Sequence, residues 1–108
     1  MIVVTGVAKR RARRAEMSLT PRQLFIGLGV SGILTPAEAV ETAKTRNLPA
    51  IAEGAISSLS PADQLAARIT WATMGVVLRN DPMVDLLGSA AGLTPDQIDE
   101  FFATFGTV

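Results

Sequence analysis

"GILTPAEAV" at residues 32–40 has a near copy in "GLTPDQI" at 92–98, and the phrase returns as "SLTPRQL" at 18–24 and "SLSPADQL" at 58–65. Leu-Thr-Pro or Leu-Ser-Pro reads as a helix start. A Ser or Thr side chain at the N-cap accepts a hydrogen bond from one of the first free backbone N–H groups, and proline fits the first helical position because no acceptor awaits its missing N–H. Gln23, Glu38, Asp63 and Gln97 stand third after these caps, where an acid or amide can bond back as a capping box. Asp81-Pro82 supplies a fifth start without that partner, and only Pro49, after Leu48, follows no capping residue. Leu19 with Leu24, and Leu93 with Ile98, add hydrophobic staples; opposite Leu34 and Leu59 stand only Ala39 and Gln64. The caps at 20, 35, 60, 81 and 94 lie 15, 25, 21 and 13 residues apart. Repeat proteins need a fixed period, so the phrase is punctuation and not a tandem unit.

Between the starts the spacing is helical. Pro21 to about Gly29 directs Leu24, Phe25 and Leu28 inward; Pro36 to Arg46 directs Val40 and Ala43 inward, with Glu38, Glu41 and Lys44 in water. A short helix after Pro49 gathers Ile51, Ala55, Ile56 and Leu59 on one side. "PADQLAARITWATMGVVLR", 61–79, carries one stripe of Leu65, Ile69, Ala72 and Val76 and another of Arg68, Trp71, Met74 and Leu78. A helix apolar on nearly all sides is expected to be surrounded by others. Met83, Leu86, Leu87, Ala90 and Ala91 mark a fifth helix ended by Gly92, and Ile98, Phe101, Phe102 and Phe105 a sixth. No alternating strand stands out beyond "MIVV" at the start. The expected fold is all-α: a compact bundle of five or six short helices around a central apolar helix at about 61–79.

The chain has neither cysteine nor histidine. Disulfides, thiol nucleophiles, zinc fingers, haem ligation and imidazole acid–base chemistry are therefore excluded by inventory. The carboxylates Asp81, Asp85, Asp96, Asp99 and Glu100 have the spacing of solvated faces and of charges that complement helix dipoles. No catalytic residue, cofactor site or metal site is assigned, and the protein is read as no enzyme. "GLGVSG" at 27–32 matches G-x-G-x-x-G, but it follows one helix cap and precedes another, where a dinucleotide fingerprint needs a strand before it. The longest uncharged run, Gln23 to Ala37, is 15 residues with a proline inside, too short for a membrane span. A helix-turn-helix reading would turn Glu38 and Glu41 toward phosphates.

The zero net charge hides an asymmetry. Residues 1–16 hold Lys9, Arg10, Arg11, Arg13 and Arg14 against Glu16, and residues 17–108 hold five basic and nine acidic side chains. Residues 1–16 are read as a basic tail, disordered or lying upstream of a true start at Met17, and 17–108 as a single helical domain. As a functional arm, Lys9, Arg10, Arg11, Arg13 and Arg14 would bind nucleic acid or another polyanion through phosphates, without aromatic residues to stack on bases. The body carries 14 charges in 92 residues, against about a quarter in ordinary soluble domains. Its surface is short of charge, and such surfaces are often covered by partners or by copies of themselves. Phe101, Phe102 and Phe105 are the candidate contact, weighed against a plain role closing the core.

"LTPRQLFIGLGVSGILTPAEAV", "ARITWATMGVVLRNDPMVDLL" and "GLTPDQIDEFF", spanning about residues 18–105, together resemble small all-helical proteins of unassigned role encoded among the structural genes of tailed phages and prophages. The resemblance implies a virion component or assembly factor that works by protein contacts, in a virion or in the cytoplasm of a bacterial host, and carries over no catalytic residue. The expected function is a non-enzymatic protein–protein interaction module, with binding to a protein partner or to itself; a nucleic-acid role through the basic arm is the alternative.

Overall fold

The local signals act as the sequence predicts. In the computed structural model, which describes residues 13–108, α1 (Pro21–Val30), α2 (Pro36–Thr45), α4 (Pro61–Thr73), α5 (Pro82–Ala90) and α6 (Pro95–Phe105) each start at a proline behind a capping side chain, while α3 (Ala50–Ser57) starts behind Pro49. Thr20, Thr35 and Thr94 form complete capping boxes. The Thr20 hydroxyl accepts from the Gln23 N–H at 3.2 Å, and the Gln23 side-chain oxygen accepts from the Thr20 N–H at 2.8 Å. Ser60 accepts from the Asp63 N–H at 3.3 Å without the return bond, and Asp81 accepts from the Met83 N–H at 2.9 Å. With the helical residues 13–15, the described residues are 67% helical and 4% strand, which makes the protein predominantly helical.

One of the two short strands lies where the sequence reading put helix. The fourth helix ends at Thr73, and Val77–Leu78 (β2) pair antiparallel with Ser18–Leu19 (β1), Ser18 opposite Leu78 and Leu19 opposite Val77. Gly75 breaks the helical run, and the β-branched pair Val76-Val77 after it suits an extended segment. This short pairing holds Leu19, fully buried, against Ile98, Phe102 and Phe105 in the main core cluster. Met17, Leu24, Val77, Val84, Leu93 and Phe101 pack around it.

The C-terminal helix α6, touching α1, α5 and β1, is therefore the element nearest the core centre. Segment 61–79 is not surrounded. Among the helices α4 packs mainly on α3, with Ala67 and Trp71 as its buried residues, and its other stripe stays in solvent: Leu65 is 62% and Ile69 53% exposed. Its apolar residues stand on both sides, but only one side has neighbours. A similar rotation affects α2, which buries Ala39 and Thr42 and leaves Val40 and Ala43 exposed, because small side chains let it lie close along α1.

Glycines of the "GLGVSG" stretch serve this packing. Gly32, at φ +81°, makes the left-handed turn between α1 and α2. Gly27 lies within α1, where an added Cβ would sit 2.6 Å from the Phe101 ring and 2.8 Å from that of Phe105. Its bare backbone is what lets α6 press two rings onto α1. Gly27→Ala is expected to destabilise the fold by about 1–3 kcal/mol, the usual cost of overpacking, although alanine is the better helix former. Urea unfolding followed by circular dichroism checks this; an unchanged or raised midpoint would refute the close approach.

Candidate functional site

Two features stand out in the described residues: a buried ionic bridge and an apolar cavity whose walls it helps to place. The bridge centres on Arg79, 2% exposed, which the sequence reading left as the tail of a long helix. β2 sets its position, since the Arg79 N–H donates to the Met17 carbonyl at 3.0 Å as the pairing ends. Its Nε donates to Asp99 Oδ1 on α6 at 2.7 Å, Nη1 to Asp85 Oδ1 on α5 at 2.9 Å, and Nη2 to the Pro95 carbonyl at 3.3 Å. Arg14 reaches the same Asp99, its Nε donating to both carboxylate oxygens at 2.8 and 3.0 Å. Burial alone would raise the Asp99 pKa, but the hydrogen bonds and charges of Arg14 and Arg79 outweigh it and hold the carboxyl below its ordinary value. The bond to Asp99 likewise raises Arg14.

The cavity, about 290 Å³, lies between α1, α3, α4, α5 and α6. Leu28, Trp71, Met74, Leu87, Ile98 and Phe101 form much of its wall; Thr70, Thr73 and Asp81 are the polar side chains among the described lining residues. Asp81 is occupied as the cap of α5. Trp71 is fixed on one side of this space: its indole N–H donates to the Arg46 carbonyl at 3.0 Å, and its ring meets Phe25 edge-on at 6.2 Å. Arg46, in the left-handed conformation at φ 60°, donates from Nη1 to the Met74 carbonyl at 3.1 Å and lays its guanidinium over Phe25 at 5.5 Å. Thr73 lines the cavity and continues the exposed line of Leu65 and Ile69 along α4, by the i, i+4 neighbour rule, and Val76, three residues past the helix end, lines the cavity too. Val76 is 60% exposed, and Ile51 of α3 stands at the rim as well. Arg68, on the same stripe as Trp71, ties α4 to α3 through two 2.7 Å hydrogen bonds to Glu53, which lower the Glu53 pKa.

The candidate contact residues are divided by this arrangement. Phe102 and Phe105 are buried in the core with Leu19, and Phe105 also lies against Gly27; half-buried Phe101 and, further in, Phe102 line the cavity. Of the basic residues, Lys9, Arg10 and Arg11 lie outside the described residues. Arg13 is exposed, but Arg14 is committed to Asp99 and is a structural residue of the body. Among the carboxylates, Asp85 and Asp99 belong to the bridge and Asp81 to a helix cap, while Asp96, 4.0 Å from Arg14, and Glu100 face water. Among the described residues no cluster of three acidic side chains is arranged to hold a metal ion. Sequence reasoning missed Arg79; Gly75 with Val76-Val77 was the local signal that the helix ended before it.

No family model, curated protein or solved structure matches this chain.

The bridge gives an acid-stability prediction. An unfolded aspartate titrates near 3.9, and the folded Asp99 titrates lower. The unfolded chain therefore takes up the proton first as pH falls, so the Asp99 contribution is complete above about pH 5 and is lost as pH falls through the folded pKa. Asp99→Asn removes that dependence and takes from buried Arg79 one of its two carboxylate partners, a loss on the order of 3 kcal/mol. Denaturant midpoints of both proteins between about pH 3 and 7 test it; parallel curves of equal height would refute the role assigned to Asp99.

Proposed function

We propose that the protein is a non-enzymatic protein–protein interaction module and that its working surface is the mouth of the apolar cavity together with the outer face of α4. The observation that carries this reading is a half-open apolar cavity of about 290 Å³ continuous with an uncharged, exposed helix face. Water inside such a space finds few groups to hydrogen-bond, so filling it with apolar side chains is favourable, by about 0.8 kcal/mol for each methylene removed from water. A partner helix with apolar residues at i, i+3 or i+4, and i+7 fits both parts of the surface, its anchors entering the cavity and its remaining stripe lying along α4. The low charge of the body supports the same use. The resemblance of residues 18–105 to small helical phage proteins supports the setting, a tail or head component or an assembly factor in a virion or its bacterial host.

Val76 decides the test because it is exposed, lines the cavity and lies outside the core. Panning a displayed library of helix-forming peptides against the folded protein should enrich sequences with that apolar spacing. Their affinity should drop at least about tenfold, or 1.4 kcal/mol, against Val76→Asp, whose circular dichroism should match the unmodified chain. Enriched peptides without the spacing, or equal binding to the variant, would refute the reading.

A further inference from the structure

The outer face of α4 exposes Leu65 and Ile69 to solvent. Along this face the exposed positions of α4 are Ala62, Leu65, Ala66, Ile69, Ala72 and Thr73, none of them charged, while the exposed Asp63 and Thr70 lie to one side of it at 100° per residue. From Leu65 to Thr73 the spacing along the face is the same read forward or backward from Ile69. If two copies of α4 lie antiparallel with a two-fold axis at Ile69, Ile69 meets Ile69, Ala66 meets Ala72 and Leu65 meets Thr73. We propose that the occupant of this surface is a second copy of the chain, paired in this way, with Leu65 of each copy entering the mouth of the other's cavity over Thr73. The proposal rests on the reading of this surface as a protein-contact site and names its partner.

Several physical terms favour the pair. An isologous contact repeats every pairing twice, so a charged residue near the axis would meet its own like, and this face has none. Ala62, Ala66 and Ala72 allow the backbones to approach at the short end of the 8–10 Å range for packed helices. Antiparallel helices also set opposite ends of their dipoles side by side. Off the axis Leu65 meets the smaller Thr73, which lines the cavity that Leu65 would enter. From Ala62 to Thr73 the face runs about 17 Å at 1.5 Å per residue, short for an interface of the standard 1,200–2,000 Å². The expected dimer is therefore of about micromolar affinity, and the cavity contact is what raises it above a bare helix crossing.

Light scattering and sedimentation of the full chain from about 1 to 100 micromolar should show monomer giving way to dimer. Ile69→Lys and Leu65→Lys, both at exposed sites, should keep the fold by circular dichroism and remain monomeric throughout. Because the chain has no cysteine, Ile69→Cys reports the axis without ambiguity: under oxidation it should form a covalent dimer, whereas Val30→Cys, exposed on α1, should not. A monomer at every concentration, a dimer that survives Ile69→Lys, or equal cross-linking at the two positions would overturn the pairing. Monomer together with binding of the panned peptides would reject self-pairing and keep the surface as a contact site for another protein; monomer without peptide binding would reject both.

Discussion

The fold hangs on a charge placed where charges are expensive. Arg79 is almost wholly buried, and taking a guanidinium out of water is tolerated only when its donors are satisfied. Here one side chain donates to Asp99, Asp85 and the Pro95 carbonyl, and Asp99 also receives Arg14. Two positive and two negative groups balance locally. The geometry fixes α5 against the start of α6 and fixes residues 13–19 against both. α5 and α6 in turn contribute Leu87, Ile98 and Phe101 to the cavity wall, so the ionic bridge positions an apolar site without touching what would bind there.

Crowding at α6 explains why α4 is left at the edge. Phe102 and Phe105 fill the space around Leu19, and Phe101 with Phe105 closes on Gly27 at a distance only glycine permits. The cluster around Leu19 is built from α1, α5, α6 and the strand pair without α4. α4 attaches through what lies on its inner face, Trp71 against Phe25 and Arg46, and Arg68 on Glu53. This leaves its second apolar stripe without a neighbour in the monomer and leaves a hollow between α4 and the helices on the other side. Exposed apolar surface beside an apolar hollow is the physical basis for reading the protein as one that works by contact.

Much of the helical layout was legible in the sequence because capping is local. Thr20, Thr35, Ser60, Asp81 and Thr94 satisfy backbone groups within three residues of themselves, so the signal does not depend on the rest of the chain. Gly92 as a left-handed turn, and Ile98, Phe102 and Phe105 as an inward stripe, were readable for the same reason: residue type and a 3.6-residue period suffice. The candidate site was less legible. Phe101, Phe102 and Phe105 look alike in sequence, yet Phe101 and Phe102 line the cavity while Phe105 packs on Gly27, and Arg14 looks like its neighbours in a basic run until Asp99 is seen beside it.

The sequence by itself determined where helices start, that the protein is helical, and which chemistries its residue inventory lacks. Tertiary structure decided which of two apolar stripes on α4 is covered, which face of α2 lies on α1, and that Arg79 belongs to an ionic bridge and not to a helix end. The reason is that periodicity defines faces but not neighbours. Which face is buried, and whether a charge finds partners 6, 20 or 85 residues away, follows from how the elements pack, and that is settled by close approaches such as Gly27 against two phenylalanine rings.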